Sequence, residues 1–194
     1  MFKIVTAPNP VLSSVARPVP IKSEPVSGVN ASVVKVIEQM KKSLIATTDP
    51  KGVGLAAPQI GKSMQIFIAK PTDKSKILVF VNPKIVGQSS IQSYIKRPKK
   101  DESEKASRKL EGCLSLPNVW GPVLRSSSLT LSFLDEKGIE RRQKFSGFMA
   151  TVIQHEMDHL SGVLFPKKVL EQQGTLYKSH KNKQGEDEFE EIEI

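Results

Sequence analysis

The 194-residue chain has one cysteine, one tryptophan, two tyrosines and three histidines, and each scarcity narrows what it can be. A single cysteine excludes an internal disulfide framework, so Cys113 is a buried small hydrophobe, a nucleophile or a metal ligand, and a reducing compartment suits it. No window approaches the roughly 18 apolar residues of a membrane span, and the opening MFKIVTAPNPVLSSVARPVP has no apolar stretch of signal-peptide length. The expected address is therefore the cytoplasm, or an organelle of bacterial origin, with no membrane partner. The hydrophobic share of 38% and aromatic share of 6% are modest, yet the apolar residues gather in periodic runs, which argues for a folded body. The length suits one domain with a real core.

Charge is plentiful and uneven. The formal net charge is +9, but six of the nine residues 186–194 are acidic; without them 29 basic residues face 14 acidic ones, a net +15. The segment KRPKKDESEKASRK at 96–109 holds seven basic and three acidic residues and reads as a solvated basic insertion. The expected organisation is a catalytic domain over 1–170, with that insertion at about 96–109, and a charged, flexible tail over 171–194. A basic body favours proximity to polyanions without implying recognition of a specific nucleic acid.

Val33, Ile37, Met40 and Leu44 recur at three- and four-residue spacing and predict an amphipathic helix over Ser32 to Thr47. TDPKGVGLAAPQIG then breaks regularity before a strand MQIFIA at 64–69, and ILVFV at 77–81 reads as a buried strand stopping at Asn82 and Pro83. Leu129, Leu131 and Phe133 alternate with polar residues, and DEKG separates them from IERRQKF, an antiparallel hairpin pattern. A second helix is expected from Phe148 to Ser161, with Ser146 as N-cap and Gly162 as its left-handed stop. The predicted fold class is α+β: largely antiparallel sheets packed around a central helix carrying HEMDH, with an N-terminal amphipathic helix.

HEMDH at 155–159 is the sharpest chemical signal. Two histidines four residues apart leave one helix face together, so His155 and His159 can share an ion, with Glu156 beside it as proton shuttle. A catalytic site generally takes three protein ligands and keeps one position for water. The third-histidine pattern of one class of zinc peptidases is closed, because Phe165 occupies that place. Cys113, in EGCLSLP ahead of a proline that should end any regular element, or a downstream carboxylate such as Glu171, are the remaining candidates. A zinc endopeptidase using Glu171 or a tail carboxylate, and a basic ribosome- or RNA-associated module with a structural metal, stay open.

GVGLAAPQIG at 52–61, EGCLSLP at 111–117 and QHEMDHL at 154–160 resemble, in order, the three signature motifs of the peptide deformylase family. That resemblance implies a metal-dependent hydrolase that removes the N-formyl group from the methionine of newly synthesised polypeptides and releases formate. It implies Cys113, His155 and His159 as ligands of one divalent ion, ferrous iron first, with zinc, nickel or cobalt as substitutes. The side-chain amide of Gln59 and the backbone N–H of Leu114 would face the developing oxyanion. The backbone near Val53, Gly54 and Gly112 would hold the peptide. By helical position Phe148, Thr151 and Val152 are candidates for the methionine pocket, or equally for core packing. Formyl-methionyl nascent chains are the implied partner, with transient ribosome contact through the basic body.

Overall fold

The computed structural model describes residues 2–21, 29–95 and 110–193; the basic insertion at 96–109 lies outside them. After a short 3-10 turn at Pro10–Ser13, α1 (Ala31–Ile45) opens on the Asn30 side chain, which accepts the Ser32 N–H, and buries Val33, Ile37, Met40 and Leu44 as the spacing predicts. The glycine-punctuated stretch becomes β1 (Gly54–Ala56) followed by a 3-10 turn at Ala57–Ile60. Strands β2 (Ile66–Ala69) and β3 (Leu78–Gln88) follow, then the short β4 (Gln92–Ser93).

Beyond the insertion come β5 (Leu110–Cys113), β6 (Leu116–Pro122), β7 (Arg125–Ser126), β8 (Ser128–Leu134) and β9 (Glu140–Ser146). Helices α2 (Gly147–Leu160) and α3 (Phe165–Glu171) precede the closing strands β10 (Tyr177–Lys181) and β11 (Asp187–Glu191). The result is a mixed α+β fold with three α-helices among the described residues, and every named strand pair is antiparallel.

The five-stranded sheet runs β1-β2-β3-β8-β9 and is covered by helices on both faces. Ile66, Ile68, Val79 and Val81 point to α1, where they meet Ile37, Met40 and Leu44. Phe67, Ala69 and Phe80 point the other way, to Ala150, Ile153 and Leu160 of α2. Two-sided burial is why IFIA at 66–69 and VFV at 79–81 read as unbroken apolar runs, while β8, with one face in the core, alternates. Phe80 stacks on Phe67 at 4.4 Å and leans on Phe133 at 4.6 Å; burying each such ring stabilises the fold by roughly 1.5–3 kcal/mol.

A second sheet, β11-β10-β6-β5, packs on α3 through Cys113, Val123, Phe165, Val169 and Leu176. β4 and β7 form a separate two-stranded pair.

Three local expectations are corrected. β3 does not stop at Asn82: the pairing to β8 shifts register between Val81 and Lys84, so a bulge absorbs Asn82 and Pro83. Asn82 takes a left-handed φ of 48°, and its amide bonds the N–H and carbonyl of Val19. Pro117 does not end the element after Cys113; it sits early in β6, ahead of the positions that pair with β10. The flexible tail predicted for 171–194 is instead largely folded, because residues 177–191 form the β10–β11 hairpin added to β6. Two of its acidic residues face lysines across that ladder, Glu190 opposite Lys178 and Asp187 opposite Lys181, the latter pair at 2.9 Å.

Candidate metal centre

The chain turns from β9 into α2 at Gly147, whose φ of +59° only glycine adopts readily. Ser146 sits at the N-cap but makes no side-chain capping bond. The helix carries His155 and His159 one turn apart, their ring centroids 5.1 Å from each other. Cys113 ends β5, where the pairing to β6 shifts register between Gly112 and Cys113 and the chain returns at Leu116. That turn faces the helix: Sγ of Cys113 lies 3.1 Å from Nε2 of His159. The ligand atoms of Cys113, His155 and His159 all lie within 4.8 Å of one another. Glu171, the carboxylate alternative, is an exposed partner of Lys167 and Lys168 and stands outside this group.

The donor chemistry fits a divalent ion, since one sulfur and two imidazole nitrogens suit zinc, iron, cobalt or nickel. A second observation agrees. Glu156 is 3% exposed, and its Oε2 has no hydrogen-bond partner among the described residues. A buried orphan oxygen costs about 1–3 kcal/mol, so it marks a place meant for a polar guest. Burial pushes the Glu156 carboxyl up to about 7, against the pull of His155 and Arg125.

Behind these three donors lies a charged network that the sequence did not advertise. Arg125 donates from Nε and a terminal nitrogen to both oxygens of Glu111, at 2.6 and 2.9 Å, and from its other terminal nitrogen to Asp158 at 2.9 Å. Glu111 in turn lies 3.1 Å from Nδ1 of His155. Burial alone would raise the Glu111 carboxyl, but the Arg125 guanidinium and the His155 bond hold it at about 2. Burial and the nearby charges of His155 and Arg125 push His159 well below its ordinary value. In the metal-free chain His155 is held well above, because its bonds to Cys113 and Glu111 outweigh burial. Arg125 carries no motif and is legible only once Glu111 and Asp158 are seen beside it.

Gln59 is fully buried. Its Oε1 accepts the Ala56 N–H at 2.8 Å, which orients the amide so that Nε2 reaches Sγ of Cys113 at 3.4 Å and Oγ of Ser115 at 3.3 Å. Ser115, buried and donating its own N–H to that sulfur at 3.4 Å, is a second residue the motifs did not single out. Gly54 packs against Glu156 so closely that a Cβ there would stand 2.2 Å from Oε1.

Gly112, Leu114, Val53, Gly54, Phe148, Thr151 and Val152 line one cleft of about 750 Å³ together with Gln59, Cys113, His155 and Glu156. β1 is the outer strand of its sheet, so Gly54–Ala56 offers a backbone edge beside the cleft. The carbonyl of Val53 is already taken by the Lys70 N–H at 2.7 Å. No helix among the described residues is long and apolar enough to cross a membrane.

Residues 1–174 match the sequence model of the polypeptide deformylase family. A peptide deformylase from Pseudothermotoga lettingae is 40% identical over 144 residues, 74% of this chain and 72% of that protein. One from Halalkalibacterium halodurans is 36% identical over 182 residues, 87% and 90% of the two chains. The fold is similar to the crystal structure of peptide deformylase from Thermotoga maritima, with a TM-score of 0.69 and 27% identity, covering 87% of this chain and 97% of that one.

Proposed function

This chain belongs to the polypeptide deformylase family, and from that premise we propose how its residues remove the N-formyl group from newly made polypeptides. Cys113, His155 and His159 hold one divalent ion. When bound, such an ion supplies Lewis acidity, lowering the pKa of water from about 15.7 towards 7 and drawing charge from a carbonyl. Glu156 takes the proton of the attacking water as its oxygen bonds to the formyl carbon. The carboxylic acid so formed then gives that proton to the amide nitrogen as the C–N bond breaks, releasing formate and a free amine.

Gln59 Nε2 and the backbone N–H of Leu114 donate to the formyl oxygen as it becomes negative; losing one such donor typically costs on the order of 100-fold in rate. The peptide lies extended beside β1, with the backbone at Val53, Gly54 and Gly112 as its partners. Phe148, Thr151 and Val152 receive the methionine side chain. All three line the cleft, Thr151 and Val152 one turn of α2 before His155 and Phe148 two turns before it.

The observation that carries this reading is the convergence of the three donor atoms beside the buried, unpartnered oxygen of Glu156. Its test is formate release from formyl-Met-Ala-Ser by wild type and Glu156→Ala, with elemental analysis of both. Turnover confined to wild type, with one ion per chain in each, is the expected result; equal turnover overturns the role of Glu156.

Ferrous iron is the ion we assign, because a thiolate beside two imidazoles tolerates it and the family resemblance favours it. Air then inactivates the enzyme through oxidation of the iron or the thiolate. Equal activity per iron after aerobic and anaerobic purification counts against iron. The place of work is the cytoplasm, where a body of net +15 without its acidic terminus favours transient contact with ribosomes. Co-sedimentation unaffected by deleting 96–109 would remove that segment from the contact.

A further inference from the structure

The β10–β11 hairpin lies beyond the residues matched by the family model, yet Asp187 and Phe189 of β11 line the same cleft as Cys113 and Glu156. The connection can be followed ring by ring. Gly112, the neighbour of Cys113, is paired with Trp120 across β5 and β6. It carries the indole so closely that a Cβ at Gly112 would stand 2.7 Å from a ring carbon.

The indole is held from the hairpin side. Its Nε1 donates to Oγ of Ser179 at 2.8 Å, and Phe189, the cross-strand partner of Ser179, meets it edge-on at 6.0 Å and 83°. Along β11 the alternation of a strand sends Asp187 and Phe189 to the cleft face and Glu188 and Glu190 away. The hairpin also reaches the far rim: Nζ of Lys181 lies 3.9 Å from Asp49, next to Pro50 and Lys51 of the cleft wall.

We propose that this hairpin is a selectivity wall of the cleft, in which Trp120 and Phe189 together receive an apolar side chain of the substrate beyond its methionine. The proposal rests on the deformylase reading, which puts the formyl group at Cys113 and sends the peptide outwards past Gly112. Neighbouring side chains of an extended peptide point to opposite faces, so the two rings, 6.0 Å apart, form one surface for a single side chain beyond the methionine. Rigid aromatic surfaces bind apolar side chains with little entropy lost. A wall that holds the side chain equally in ground and transition states contributes uniform binding, so it acts on KM and leaves kcat alone.

The test compares formyl-Met-Leu-Leu with formyl-Met-Ala-Ser on the full chain. Wild type favours the leucine peptide. In Phe189→Ala the ratio of the two kcat/KM values falls about 5- to 10-fold through KM, as expected for loss of a partly buried apolar contact, and Phe189→Leu restores most of it. Trp120 is the sole tryptophan, so its emission gives an independent reading. In Glu156→Gln, which keeps the native hairpin, a larger blue shift with the leucine peptide than with the alanine-serine peptide supports the wall, and equal or absent shifts overturn it. Formate release with the same ratio in wild type and Phe189→Ala overturns the wall alone. No formate from wild type with either peptide overturns the deformylase reading and the wall with it.

Discussion

Oε2 of Glu111 lies 3.1 Å from Nδ1 of His155, and because Glu111 is ionised at any pH above about 2, it can only accept. Nδ1 therefore carries the proton on that side, and Nε2 of His155 is the nitrogen that faces Cys113 and the cleft. An amide in place of the Glu111 carboxylate, with an acceptor end and a donor end, no longer forces that choice. Glu111→Gln should weaken metal binding by about 10- to 100-fold, the usual effect of a lost outer partner of a metal histidine, measured by competition with a chelator. Unchanged affinity would show that the bond does not select the tautomer.

Arg125 is 5% exposed and is satisfied by Glu111 and Asp158. Arg125→Met strands two carboxylates, one of them deeply buried, so unfolding in urea of the metal-free chain should show a loss of about 3–5 kcal/mol. A loss below about 1 kcal/mol would mean that water reaches Glu111 and replaces the guanidinium.

Gly54→Ala places a methyl 2.2 Å from the Glu156 carboxylate, a distance real atoms do not tolerate, so Glu156 must swing away. We expect kcat to fall on the order of 100-fold, the scale of losing a positioned acid–base group, with metal content unchanged. Retained kcat would show that Glu156 works from another position.

Asp135 closes the β8–β9 turn, accepting the N–H groups of Lys137 and Ile139 at 2.9 and 3.0 Å and a bond from Arg141 at 2.9 Å. Its slight burial favours the neutral acid, but these donors outweigh that and hold the carboxyl below its ordinary value. A depressed carboxylate contributes stability that is present above its unfolded value near 3.9 and is lost as pH falls through the folded one. Asp135→Ala should therefore lower stability by about 1 kcal/mol at pH 7, and the gap to wild type should shrink below pH 4. A gap constant down to pH 3 would contradict the charge-based account.

How far the sequence reached is clearest at α2. Helical spacing fixes the relation of His155 to His159, because four residues make about one turn wherever the helix lies. The same local logic reached α1, the β8–β9 hairpin and Gly162, whose φ of +70° ends α2 against the backbone of Ser13. It failed at Asn82–Pro83, where only the partner strand could supply a bulge. It also failed at 171–194, where acidic composition suggested solvent but pairing with β6 supplies an edge that the segment cannot carry by itself.

The chain's own order of residues thus determined the chemistry available: a thiol, two imidazoles on one helix face, a carboxylate between them, and the amphipathic stripes that build the core. Only the tertiary structure decided that Cys113 and His159 meet at 3.1 Å across 46 residues, that Arg125 neutralises Glu111, and that Phe189 reaches Trp120. Periodicity is written within a helical turn or a strand pair, whereas contacts between distant segments depend on how whole elements pack, and no local pattern encodes that packing.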